Sequence, residues 1–263
     1  MINIAVTGKG GVGKTTIAGT ISRFLAKDGY RVIAVDADPD MNLDSVLGCD
    51  ASDVVPLAEN ETLIAERTGS KPGSSLVGGV FKLNPKVDDI ARSYCVKAPD
   101  DVNLLVMGTV KKGGSGCMCP ADAFLRALFR HLVKNEEDAI VLDMEAGIEH
   151  LGRGTARSVD EILIVVEPGL KSVGTAERIK NLAEDLNVRR ISSVMNKARG
   201  DEGTELVRNR LRELEIPFLE TIPYDETFVK ADLSGKAPLD MDTHSESIQA
   251  IKNIERKIIE RAE

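Results

Sequence analysis

Residues 8–16 read GKGGVGKTT, directly after the apolar run INIAVT at 2–7. Gly8, Gly13, Lys14 and Thr15 fall on the spacing G-x-x-x-x-G-K-[ST], a phosphate-binding loop set between a strand and a helix. Gly8, Gly10, Gly11 and Gly13, with the small Val12, let backbone N–H groups close around phosphate oxygens at the positive end of that helix. Lys14 is expected to reach the β and γ oxygens, and the Thr15 hydroxyl, followed by Thr16, to ligate Mg²⁺. The stretch therefore places a strand–loop–helix unit at the start of the fold.

Similar apolar runs recur downstream: RVIAVD (31–36), VNLLVM (102–107), AIVLDM (139–144), EILIVVE (161–167), ISSVMN (191–196) and FLETIP (218–223). They are continuous rather than alternating, as suits strands buried on both faces of a parallel sheet. Helical periodicity lies near 14–28, 120–134, 172–186, 201–214 and 243–261. Strands alternating with helices predict right-handed βαβ units and an α/β fold, a doubly wound and mostly parallel sheet of seven or eight strands. No repeat or low-complexity linker divides the 263 residues, so a single P-loop ATPase domain over 1–263 is expected. Its irregular insertion is placed at about 50–100, where Pro56, Pro72, Gly73, Gly78, Gly79, Pro85 and Pro99 interrupt any long period. The last helix carries Ile248, Ile251, Ile254 and Ile258 on one stripe with mixed charges elsewhere. That pattern predicts docking against the sheet, since a membrane-surface helix is more one-sidedly basic.

Composition narrows the function. The 34 basic and 42 acidic residues give a formal charge of −8, which argues against a general affinity for nucleic-acid backbones or anionic lipid. Trp is absent and aromatic residues reach 3%, so base-stacking platforms are not expected. No apolar stretch approaches the roughly 20 residues of a membrane span, and no charged leader precedes the first strand. Four cysteines are too few for a disulfide framework. A cytoplasmic protein with no nucleic-acid or membrane partner is the expectation.

Gly8, Gly10 and Gly13 also satisfy G-x-G-x-x-G, and Asp36 stands where a ribose-binding acid would end the second strand. That dinucleotide reading leaves Lys14, Thr15, Thr16, Asp38 and Asp143 without a purpose. A nucleoside triphosphate explains them all. DADPD (36–40) places Asp36 and Asp38 at a strand end facing the ligand crevice, on the γ-phosphate and Mg²⁺ side, with Asp38 to hold the attacking water. In VLDMEAG (141–147), Asp143 closes a buried run and is expected to hold Mg²⁺ through water, while Gly147 lets the next loop follow the γ-phosphate. MNKAR (195–199) sets Asn196 and Lys197 at another strand end, where Asn196 is expected to meet the base edge, and Pro223 and Tyr224 to form the opposite wall. Guanine-reading P-loop proteins carry an acid where this chain has Arg199, so ATP is favoured over GTP.

The remaining signal is GGSGCMCP, residues 113–120. Cys117 and Cys119, one residue apart after a glycine-rich stretch, form a metal or redox candidate. Inert loop thiols remain the plain alternative. Cys49 and Cys95, each alone, are assigned to packing.

With these pieces placed, the chain resembles the deviant-Walker-A ATPases, through K-G-G-x-G-K-[ST] at Lys9–Thr15 and D-x-D-P at Asp36–Pro39. That group holds the septum-positioning and chromosome-partition ATPases and the nitrogenase iron protein. Within it, MGTVKKGGSGCMC (107–119), LNPKVD (83–88), DMEAGIEHLGRGTA (143–156), VEP (166–168) and IPY (222–224) look like the nickel-insertion ATPases of the CooC type, which mature carbon monoxide dehydrogenase. The resemblance implies an ATP-dependent homodimer in which Lys9 reaches the partner's nucleotide and the C-x-C pair binds metal between subunits. Two thiolates per chain then make a four-sulfur site for Ni²⁺ or Zn²⁺, and the implied client is carbon monoxide dehydrogenase or acetyl-CoA synthase. Met118 in the middle position departs from a simple pair as a spectator or weak soft ligand. Two rivals follow from the same group. A membrane- or DNA-associated positioning ATPase leaves C-M-C unexplained, and an iron–sulfur ATPase needs a cysteine after the Asp143 strand, where this chain has none.

Overall fold

The computed structural model describes residues 1–73, 80–110, 118–134, 138–146 and 159–262. All seven expected strands form: β1 (Ile2–Gly8), β2 (Val32–Ala37), β4 (Asn103–Val106), β5 (Ala139–Met144), β6 (Glu161–Val166), β7 (Arg190–Ala198) and β8 (Phe218–Pro223). An eighth, β3 (Val96–Lys97), is two residues long and too short to leave a period in the sequence. The order is β3-β4-β2-β5-β1-β6-β7-β8. Every pairing is parallel except β3 with β4.

The continuous apolar runs are explained by two cores, one on each face of the sheet. Along β6, Ile162, Ile164 and Val166 enter one core, and Leu163 and Val165 the other. Helices α3 (Glu61–Thr68), α5 (Cys119–Leu132), α6 (Leu170–Asp185) and α7 (Glu202–Glu213) cover the first face, with Ile64, Phe124, Ala176 and Leu211 fully buried. Helices α1 (Lys14–Lys27), α2 (Leu43–Leu47) and α10 (Glu246–Ala262) cover the second. The isoleucine stripe on α10 is buried there, each side chain contributing roughly 1.5–3 kcal/mol. No helix among the described residues is long and apolar enough to cross a membrane.

The region at 50–100 has short elements: α3, α4 (Ile90–Tyr94), β3 and a 3₁₀ turn at Pro99–Asp101. Leu57, Ile64 and Ile90 anchor it in the core. Two further short helices, α8 (Glu226–Leu233) and α9 (Pro238–Met241), precede α10. The chain leaves β1 for β2 on one side and later reaches β6 on the other. Such a reversal opens a crevice at the carboxyl ends of the strands. Asp36 and Asp143 stand there at the same level on adjacent strands.

Candidate nucleotide site

The loop at 8–13 needs its glycines for two different reasons. A Cβ on Gly8 would collide with the Val165 carbonyl oxygen of β6, because the loop leaves the sheet against its neighbour's backbone. Gly13 caps α1 in the left-handed region at φ +93, and a Cβ there would strike the Asn196 amide. Val12 is fully buried and ties the loop to the core. From β7, Asn196 Nδ2 donates to the Val12 carbonyl at 2.8 Å, and Lys197 Nζ to the Gly11 carbonyl at 2.5 Å. Asn196 was expected to face the base edge. It lines the cavity and also braces the phosphate loop, its Oδ1 accepting from the Lys197 backbone at 2.9 Å.

Four charged groups converge beside the loop. Lys14 is buried, with Nζ 3.7 Å from Asp38 Oδ2. Asp36 accepts from the backbone N–H groups of Leu43 at 3.0 Å and Asp38 at 3.2 Å. Both of its oxygens thus hold the 36–43 loop in shape, and burial pushes its carboxyl up to about 6. Asp38 Oδ1 accepts from the Asp40 N–H at 3.0 Å, while Asp40 itself is exposed.

Asp143 is fully buried, and neither of its oxygens has a hydrogen-bond partner among the described residues. Burial raises its carboxyl to about 7, with Asp36 and Asp38 adding to the rise. The Thr15 hydroxyl and the Lys14 ammonium oppose it, without completing a bond of ordinary geometry to either oxygen. The unsatisfied Asp143 oxygens beside the Thr15 hydroxyl are hard oxygen donors, which suit Mg²⁺. Glu145 is exposed, and its carbonyl accepts from Thr7 Oγ1 at 2.7 Å. Gly147 lies outside the described residues.

A pH dependence follows from Asp143. Without a cation the folded chain holds this proton more tightly than the unfolded chain does. The associated stability is fully present below about pH 4 and is lost as pH rises through about 7, at roughly 1.4 kcal/mol per pH unit. Asp143→Asn should therefore raise the melting temperature of cation-free protein by several degrees near pH 8 and leave it nearly unchanged near pH 4. Thermal scans at both pH values, with chelator present, check this.

A cavity adjoins the loop, lined among others by Gly13, Thr16, Asn196, Lys197, Pro223, Tyr224, Val46, Phe228, Lys236 and Pro238. The two expected walls thus meet. The Arg199 guanidinium stacks 3.6 Å from the centre of the Tyr224 ring. The linings from α2, α8 and α9 had no motif to announce them. Lys9 sits on the loop's outer shoulder, half exposed, with Nζ 3.4 Å from Glu167 Oε1. In the sequence Glu167 is read only as part of VEP (166–168), with no role assigned to it.

Cys117 lies outside the described residues. Met118 caps α5, Cys119 is its first residue, and Pro120 follows, buried in the first turn. No group of three or more His, Cys, Asp or Glu suited to a metal occurs among the described residues. Cys49 and Cys95 are partly rather than fully buried. The Cys49 thiol contacts the Asp44 carbonyl at 3.7 Å and is pushed up to about 11 by burial, which keeps it unreactive at neutral pH.

Comparison with known proteins agrees with this geometry. Residues 4–239 match the CobQ/CobB/MinD/ParA nucleotide binding domain. An uncharacterised ATP-binding protein of Methanocaldococcus jannaschii is 45% identical over 97% of this chain and 95% of its own. The carbon monoxide dehydrogenase accessory protein CooC of Rhodospirillum rubrum is 43% identical over 91% of this chain and 90% of its own. Among solved structures, the cell division ATPase MinD of Pyrococcus furiosus superposes with a TM-score of 0.71 at 23% identity, covering all of both chains. With its phosphate loop, paired strand-end acids and eight-stranded sheet, the chain belongs to the CobQ/CobB/MinD/ParA nucleotide-binding family, as one of its P-loop ATPases.

Proposed function

We propose that this ATPase is a metal carrier that binds Ni²⁺, or Zn²⁺ in its place, through Cys117 and Cys119 at a homodimer interface. Its client is carbon monoxide dehydrogenase or acetyl-CoA synthase during maturation, in the cytoplasm. The observation that carries this reading is C-M-C at 117–119 in a chain 43% identical to a carbon monoxide dehydrogenase accessory protein. Soft thiolates select soft and borderline ions, and a two-fold axis doubles two ligands into four.

In this reading the backbone at Gly8–Gly13 and Lys14 hold the phosphates, and Asp38 orients the attacking water. Lys14 beside Asp38 spreads charge away from the γ-phosphate as the bond breaks. Thr15 and Asp143 would hold Mg²⁺, which would supply further neutralisation of phosphate charge. Asp36 shapes the loop that carries Asp38, and Asn196, Lys197, Pro223 and Tyr224 enclose the base. Lys9 leaves Glu167 to reach the partner's nucleotide. That exposed pair is worth no more than about 1 kcal/mol, so its rupture is no obstacle.

The test joins light scattering with metal analysis. Nickel-loaded protein should run as a dimer carrying one ion per two chains, and one ion held tightly by a monomer contradicts the shared site. Lys9→Ala should lower the dimer fraction at saturating ATP while monomer nucleotide affinity stays near the parent value. Equal dimer fractions would rule out a role for Lys9 across the interface.

A further inference from the structure

Arg23 lies on α1, nine residues beyond Lys14, and is almost fully buried. Its Nε donates to Asp100 Oδ2 at 2.7 Å, and its terminal nitrogen pairs with Asp240 Oδ1 at 2.8 Å. A buried guanidinium persists only where it is paired, and removing a partner leaves an uncompensated charge. Asp100 holds its side of the arrangement from a left-handed backbone at φ +60. Strain of that kind survives only where the surroundings over-determine it.

Asp240 meets a third element. A Cβ added at Gly48, which ends α2 at φ +83, would come within 3.1 Å of Asp240 Oδ2. These same helices build the base cavity. Helix α1 brings Gly13 and Thr16 to it, α2 brings Ser45 and Val46, and α9 brings Pro238, two residues before Asp240. One carboxylate therefore links α9, α1 and the end of α2, three elements whose other residues line the cavity. Ala237 and Leu239 are buried in the core and keep α9 attached to it. The ion pair with α1 is a second attachment of α9, two residues from Pro238.

We propose that the Arg23–Asp240 clamp fixes the width of the base cavity, so that Asp240 is a positioning residue for nucleotide affinity and not for turnover. The inference rests on the reading of this cavity as the base site. Asp240 is half exposed, so Asp240→Ala leaves Arg23 paired with Asp100 and keeps the fold accessible to test even if Arg23→Met does not fold. KM and kcat for MgATP would be measured on the full chain, together with dissociation constants for ATP and for inorganic tripolyphosphate, which carries no base. Asp240→Ala should raise KM and the ATP dissociation constant about tenfold, with kcat within about twofold and tripolyphosphate affinity unchanged. Asp240→Asn keeps an acceptor oxygen for Arg23 and should recover part of the loss. Unchanged ATP affinity in Asp240→Ala overturns the clamp. A parallel loss for ATP and tripolyphosphate overturns it too, because that marks general loosening. If the parent protein does not distinguish ATP from tripolyphosphate, the base-cavity reading itself fails, and the clamp with it.

Discussion

Asp38→Ala should bind MgATP almost as tightly as the parent and turn it over at least about a hundredfold more slowly. Asp38 lies 3.7 Å from the Lys14 ammonium beside the phosphate loop, and in the proposed site it directs the attacking water. The proposed phosphate ligands are Lys14 and the backbone N–H groups of the loop, so ground-state binding does not need the Asp38 carboxylate. Its removal instead frees Lys14 from a competing partner, which works against any loss of affinity. The interaction that disappears is one made only in the transition state, and such a loss lowers kcat and kcat/KM together. Phosphate release and binding of a fluorescent ATP analogue read the two quantities separately. A variant that hydrolyses ATP at the parent rate rules out water positioning by Asp38.

The second large effect concerns the cysteines. If four thiolates from two chains hold one ion, replacing either Cys117 or Cys119 with Ser leaves two sulfur ligands across the dimer. Both single variants should then lose nickel affinity by at least about a hundredfold, and by similar amounts. Binding promotes assembly by linkage, so both should also lose the metal-driven part of dimerisation. Thiolates must be deprotonated to ligate, hence parental affinity should weaken as pH falls. Competition with a chromogenic chelator measures it. Parent-like affinity in one of the two variants breaks the symmetry that a shared site requires.

How far these sites were legible in the sequence depended on the range of the interaction. The phosphate loop was legible because its function needs glycines at fixed spacing, and Gly8 and Gly13 meet close neighbours in the fold. The strands were legible because both faces of the sheet are buried, which makes their apolar runs continuous. The two-residue β3 is shorter than any period. Asp36 and Asp143 announced themselves by closing apolar runs, although their level placement comes from strand pairing 107 positions apart in sequence. The bond from Asn196 to Val12 spans 184 residues and has no local signature. The same holds for Arg23, whose partners Asp100 and Asp240 come from a distant turn and a distant short helix. To the eye, Arg23 is one more charge on a helix.

In the proposed carrier, nucleotide state controls hold on the metal. Closure around a γ-phosphate changes how two subunits face each other, and any site they share must then change its affinity. A nickel titration of the parent protein in nucleotide-free, ADP-bound and non-hydrolysable-ATP-bound forms tests this most directly. One ion per dimer is expected in each form, with affinity differing between forms by at least about fivefold. The same affinity in all three forms would contradict it.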